Sequence, residues 1–206
     1  MDNIIYGPDC IRCGLHHTRK NVVYGKGNLK ANILMLGEAP GAVEDELGWC
    51  FAGKSGGYLD TEVLEYASLR WNIPATANVW IDNVVRCRPI KFEHGKVRNR
   101  QPNGIELQAC GVYTRNLISV VKPYLIICLG AVPARYIIHL SGEDIIWRRG
   151  ELFFWEGRAV LPLHHPAKFC YDYETTRKET RLHIDNNRKY ITMALNNINI
   201  SQEMIR

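Results

Sequence analysis

Four short stretches of this 206-residue chain combine side chains that can do chemistry with backbone that can present them. Gly37-Glu38-Ala39-Pro40-Gly41 frames one carboxylate with two glycines and a proline, directly after the apolar run Ile33 to Leu36. A buried strand that stops so abruptly delivers a functional loop to the open end of a sheet. A second apolar run ends in Pro162-Leu163-His164-His165-Pro166-Ala167, two imidazoles able to give or take protons near neutral pH. A third, Val79 to Val85, contains Asp82-Asn83. Asparagine offers a donor and an acceptor side by side, which suits the edge of a base as well as the closing of a turn. Finally, Cys10-Ile11-Arg12-Cys13 has the spacing that lets two thiolates face one metal centre, although taken alone it could equally be half of a zinc site, a redox pair or chance.

The elements that would hold these residues follow from periodicity. Ile33–Leu36, Val79–Val85 and Tyr124–Leu129 are apolar enough for buried strands, and Leu59, Val63, Leu64 and Ala67 repeat near helical spacing. Leu107, Cys110, Tyr113, Leu117, Val120 and Val121 repeat likewise before Pro123, and Gly130-Ala131 opens a helix to about His139 with Pro133 in its first turn. Leu152–Trp155 and Arg158–Leu161 flank a turn at Glu156-Gly157, and Thr175 to Asn197 reads as a polar helix. Strand alternating with helix predicts an α/β three-layer sandwich around a mainly parallel sheet, whose carboxyl ends bring Glu38 and His164-His165 to one crevice. Lys54-Ser55-Gly56-Gly57 at a helix entry would let backbone N–H groups approach a phosphate or simply open the helix.

Hydrophobic side chains make up 46% of the chain, enough for one substantial core, so a single domain spanning residues 1–206 is expected. Lys plus Arg outnumber Asp plus Glu by 26 to 21. The excess is local: Arg86, Arg88, Lys91, Lys96, Arg98 and Arg100 stand against Glu93 alone, and Trp147-Arg148-Arg149 adds a second cluster. A polyanion is the natural partner of such a stretch, although a solvated loop would look the same by charge. No apolar run approaches the ~18 residues of a membrane span and no signal pattern opens the chain, so a soluble, cytoplasmic protein with no membrane partner is expected. Seven cysteines in a reducing compartment point to metal ligation by some of them rather than to disulfides.

Taken together and in order, Gly37-Glu38-Ala39-Pro40-Gly41, Glu44-Asp45, Phe51-Ala52-Gly53, Asn83-Val84-Val85-Arg86-Cys87-Arg88-Pro89 and His165-Pro166-Ala167 resemble the motifs of the iron–sulfur uracil-DNA glycosylases, family 4 of that superfamily. Asn21 to Asn28 is similar as well, and the resemblance covers about residues 10–170, with a C-terminal helical extension from about 175 to 206. It implies a glycosylase-like fold with a central four-stranded sheet, and a monomeric DNA-repair enzyme. That enzyme would flip uracil out of single- or double-stranded DNA and hydrolyse its N-glycosidic bond, leaving an abasic site. It further implies a [4Fe–4S] cluster on Cys10, Cys13, Cys87 and Cys110, with a four-cysteine zinc site as the alternative. Phe51 would stack on the base within a pocket formed with Gly37 and Ala39, Asn83 would read its edge, and His165 would donate to the uracil O2. Glu38 or Glu44 would position water; Gly41, Lys54, Ser55, Arg98, Arg100 and Lys168 would meet the DNA backbone, with Phe169 as a wedge.

The chain departs from the family pattern in three places. Cys50 stands where the family has proline, and Ala39 where sister branches carry an aspartate. The basic stretch from Pro89 to Pro102 is longer than the usual link and is similar to that of a branch that captures uracil-DNA covalently through a loop histidine. In that alignment Asn99 occupies the reactive position, which favours hydrolysis, while His94 keeps covalent capture as an alternative beside action on a modified base.

Overall fold

The computed structural model describes residues 7–71, 78–139 and 148–205. Among these residues eight strands form in chain order: β1 Lys26–Gly27, β2 Ile33–Gly37, β3 Val79–Asn83, β4 Ile90–Glu93, β5 Lys96–Asn99, β6 Leu125–Leu129, β7 Phe153–Trp155 and β8 Arg158–Leu163. The helices are α1 Ala42–Leu47, α2 Lys54–Tyr58, α3 Tyr66–Trp71, α4 Gly104–Val121, α5 Ala131–Ile138, α6 Tyr173–Asn186 and α7 Arg188–Leu195. A π-helical segment, Leu59–Glu65, joins α2 to α3, and 3-10 turns occupy Gly14–His17 and Pro166–Cys170.

Four parallel strands in the order β3-β2-β6-β8 make the centre of the sheet, as expected. Antiparallel β1 and β7 extend it to six strands, one at each edge. Every residue of β2, β3 and β6 is buried, which is why these strands read as unbroken apolar runs rather than alternating ones. On one face Ile33, Met35, Ile81, Ile127 and Leu161 pack with Val63 and Leu64 and with Ile184, Ile191 and Ala194 of α6 and α7. On the other, Leu34, Leu36, Ile126, Cys128 and Val160 meet Leu117 and Ile118 of α4 and Ala134 and Ile137 of α5. Cys128 is fully buried, as its place in an apolar strand implied.

Two elements differ from the sequence-based expectation. The basic stretch after β3 is not an open loop, because β4 and β5 pair as an antiparallel hairpin closed by His94 and Gly95, both with positive φ. The polar C-terminal stretch divides at Asn187 into α6 and α7, and its side chains close over the sheet: Tyr173 Oη and Arg181 donate to the buried Glu62, and Tyr66 Oη donates to Asp185. No helix among the described residues is long and apolar enough to cross a membrane. Of the second basic cluster, Trp147 lies outside the described residues.

Candidate base-binding site

The register of the sheet brings the chemistry together. Gly37 pairs with Asn83 and Leu129 with Leu163, so the carboxyl ends of all four parallel strands open on one side. There a cavity of about 300 Å³ is lined by Glu38, Ala39, Gly41, Glu44, Phe51, Ser55, Asn83, Asn99, Arg100 and His165, among others. Of the residues predicted to touch the base or the reacting bond, Gly37 alone is absent from the lining, and it acts from behind. A Cβ at Gly37 would stand 2.4 Å from Asn83 Oδ1 and 2.6 Å from Phe51 Cζ, so only glycine lets the ring and the amide close up.

Phe51 is held in an unusual conformation, with φ +51, and its carbonyl lies where any side chain on Gly56 would have to be. Its ring is buried in the same apolar cluster as Leu59 and Val63, with its centroid 6.2 Å from that of His165 and the planes tilted by 30°. Cys50, the departure beside it, is buried with its thiol donating to Ile81 O at 3.2 Å. The strand end that bears Asn83 is fixed from beneath by Arg86. This guanidinium, fully buried, donates to Asn83 O, Val84 O and Thr114 Oγ1 and pairs with Asp82 at 3.4 Å. Arg86 therefore belongs to the interior and not to a basic surface, which charge counting along the sequence could not distinguish.

His165 and its neighbour diverge. The backbone N–H of Ala167 donates to His165 Nδ1 at 3.1 Å. A nitrogen that accepts carries no proton, so the neutral ring keeps its hydrogen on Nε2. Burial holds the His165 pKa down to about 4 despite the opposing pull of Glu44, which leaves that neutral donor form at pH 7. A Cβ added at Gly130, whose φ is +101, would stand 3.0 Å from the His165 Cβ, so a side chain there would be both strained and crowded. His164 instead meets Glu179 at 2.5 Å and Arg149 at 3.3 Å, outside the cavity. Burial, ahead of the Arg149 charge, lowers its pKa too.

The two predicted carboxylates take different positions. Glu38 is half-buried at the cavity wall, where burial raises its pKa and the Arg135 charge opposes the rise. Glu44 has both oxygens engaged, Oε2 accepting from Gly41 N at 3.1 Å and Oε1 from Gly53 N at 2.8 Å. It ties the Gly37–Gly41 loop to the loop that precedes α2, a positioning role beside the His165 ring.

Among the residues predicted to meet DNA, Gly41 and Ser55 line the cavity, and Lys54, Arg98 and Lys168 are exposed without lining it. Arg100 also lines the cavity, and its guanidinium grips Glu106 through bonds of 2.6 and 2.7 Å and donates to Ile90 O, so it anchors the hairpin to α4. Phe169 is a correction. It is 2% exposed and stacked on Tyr58 with ring centroids 5.4 Å apart, so it cannot act as a wedge; the exposed ring of that segment is Tyr171. Asn99, which accepts from Arg88 at 2.7 Å, reaches the cavity, whereas His94 sits at the hairpin tip away from it. Glu106 was legible in the sequence through the Asn103-to-Glu106 spacing of a capping box, which the structure forms.

Cys10, Cys13, Cys87 and Cys110 converge at the root of the hairpin. Burial raises the Cys110 thiol, and Cys13 and Cys10 add to that; burial likewise pushes Cys87 up to about 12. Arg19, a residue with no motif to announce it, donates to Cys87 Sγ at 3.5 Å and to Cys10 O at 2.7 Å. Among the described residues no group of three or more His, Cys, Asp or Glu is placed around a single metal ion. Four soft thiols that share one corner are a donor set that either a [4Fe–4S] cluster or a tetrahedral zinc ion could use.

A parallel sheet whose strand ends gather an aromatic ring, an amide and a neutral imidazole around a small cavity has the groups that could take up one planar heterocycle. The chain belongs to the uracil-DNA glycosylase superfamily, as a type-4 member: the family model described as Uracil DNA glycosylase superfamily matches residues 24–198, and type-4 relatives match over most of the chain. A type-4 uracil-DNA glycosylase of Thermotoga maritima is 36% identical over 159 residues, 77% of this chain and 76% of that protein. One from Archaeoglobus fulgidus is 36% identical over 169 residues, 79% and 78% of the two chains. One from Pyrobaculum aerophilum is 41% identical over 135 residues, 66% of this chain but 62% of the relative's own length. The crystal structure of Pedobacter heparinus SMUG2 superposes with a TM-score of 0.52 at 17% identity, covering 82% of this chain and 77% of that one, a likeness of fold.

Proposed function

We propose that the chain excises uracil from DNA by hydrolysing the bond between uracil N1 and deoxyribose C1′, leaving an abasic site. The observation that carries this reading is the Ala167 N–H bond to His165 Nδ1, which leaves a neutral Nε2–H donor in a cavity shared with Phe51 and Asn83. As the bond breaks, its electron pair moves onto the uracil ring and charge gathers on O2. A donor already in place stabilises that charge without reorganisation, an effect worth roughly 10²–10³ in rate. Phe51 holds the ring by stacking, and Asn83 hydrogen-bonds its edge. Water adds to C1′ from the opposite side and loses its proton, for which Glu38 is the available carboxylate. With the second carboxylate, Glu44, committed to backbone amides and Asn99 rather than a histidine at the cavity, hydrolysis is favoured over covalent capture.

DNA would approach across Gly41, Lys54, Ser55, Arg98 and Lys168, with Tyr171, 89% exposed, as the ring placed to enter the stack. Cys10, Cys13, Cys87 and Cys110 would hold a [4Fe–4S] cluster, whose positive iron would reverse the upward push on the thiols and keep them as thiolates. Bound there, it would cross-link the N-terminal segment, the β3 turn and α4; cleaving a glycosidic bond draws no electron from it. The test is incubation with uracil-containing single- and double-stranded oligonucleotides, then alkaline cleavage and denaturing electrophoresis. Cleavage at the uracil is expected; intact strands on both substrates, or a protein–DNA adduct surviving denaturation, would overturn the reading.

A further inference from the structure

The hairpin that separates this chain from its family pattern has two unlike faces. In an antiparallel pair, directly opposed residues share a face and alternate positions switch faces. Ile90 opposes Asn99 and Phe92 opposes Val97, so these four lie on one face; Lys91 with Arg98 and Glu93 with Lys96 lie on the other. The first face is the one that runs into the cavity, since Asn99 lines it. Further out along that face Phe92 is 77% exposed and Val97 46% exposed, an apolar pair covered by nothing among the described residues. An exposed phenylalanine on a two-stranded ribbon costs solubility and adds nothing to the core, and the opposite face of the same ribbon carries Lys91, Lys96 and Arg98, all exposed, with Glu93 as the local acid.

We infer that the β4–β5 hairpin is a second nucleic-acid contact, on which Phe92 stacks against an unpaired nucleobase of the same strand a few nucleotides from the base in the cavity. The inference rests on the glycosylase reading. Continuity with the cavity sets which strand it meets, and the cationic opposite face sets the class of partner, a polyanion whose bases are accessible. A flat ring and a neighbouring valine accept any base face, so the contact adds affinity without sequence preference. It favours single-stranded or locally opened DNA, where a base is free to leave its neighbours. Arg100 and Glu106 hold the hairpin root against α4, so the ring is presented on a fixed arm rather than a loose loop.

The experiment compares wild type with Phe92→Ala and Phe92→Trp on uracil-containing single strands in which each flanking nucleotide is replaced in turn by a base-less tetrahydrofuran spacer. Phe92→Ala is expected to raise KM about tenfold, the scale of one lost aromatic–base stack, with kcat unchanged; Phe92→Trp should restore the wild-type value. One spacer position should weaken wild type and leave Phe92→Ala unaffected. An unchanged KM in Phe92→Ala, or a loss equal at every spacer position, would overturn the inference while wild-type excision still stood. A change in sedimentation of the free protein on Phe92→Ala, with KM unaltered, would assign the face to a second protein copy and likewise overturn it. Failure of wild type to release uracil at all would instead strike the underlying reading.

Discussion

At His165 the decisive feature is a single backbone hydrogen bond. Ala167 N fixes the tautomer, and burial keeps the ring neutral, so the role proposed for this residue is that of a hydrogen-bond donor rather than a cation. Substituting His165→Ala is expected to lower kcat about 10²–10³-fold with little change in KM, measured by single-turnover release of uracil. The His-Pro-Ala motif selects this histidine over His164 by resemblance; in the structure His165 lines the cavity, while His164 turns to Glu179 and Arg149. The role of Glu44 was less legible. A carboxylate three residues after a glycine gives no sign in the sequence that both its oxygens will be taken by amides of two different loops.

Within the hairpin and its anchor, the cations that look alike in sequence divide by role. Arg98 and Lys168 are exposed and free to meet phosphates, whereas Arg100 is spent on Glu106. Arg98→Ala should therefore reduce the slope of log KM against log salt by roughly one while leaving Tm in place. Arg100→Ala should leave the slope nearly intact and cost about 1–3 kcal/mol in urea unfolding, because it strands the buried Glu106 carboxylate. Reversed outcomes for the two variants would show that the guanidinium of Arg100 leaves Glu106 when DNA binds. The hairpin itself was written in the alternation Ile-Lys-Phe-Glu and Lys-Val-Arg-Asn around His94-Gly95, but its many charges masked the strand pattern.

For the whole molecule, pH and the cysteine corner govern stability. In the unfolded chain an imidazole takes up a proton near 6.5, whereas in the folded protein burial delays His165 to about 4. Falling pH thus feeds protons to the unfolded state first, and stability present above about pH 6.5 is lost as the pH drops toward 4. Thermal melts at constant ionic strength should show Tm declining across that window; a flat Tm between pH 6.5 and 4.5 would mean the ring is more accessible than its surroundings imply. Cys87→Ser should lower the iron and sulfide content per chain and depress Tm, since the N-terminal segment, the β3 turn and α4 would lose their shared anchor. Iron content unchanged in that variant would remove Cys87 from the ligand set.

What the amino-acid order determined by itself was the centre of this protein: short apolar runs, alternating with helical periodicity, that suit the inner strands of a covered parallel sheet, and glycine, proline, asparagine and histidine placed at their ends. Those features are local, because apolar periodicity and turn chemistry act over a few residues. Tertiary structure decided which polar groups are spent and which are left for a ligand. Arg86 and Arg100 carry the same charge as Arg98, yet one is sealed beneath Asn83 and one is locked to Glu106. Phe169 and Phe92 are the same side chain, yet one is stacked inside on Tyr58 and the other stands in solvent. Burial and pairing depend on partners distant in sequence, Thr114, Glu106 and Tyr58 among them, and no short stretch of the chain carries that information.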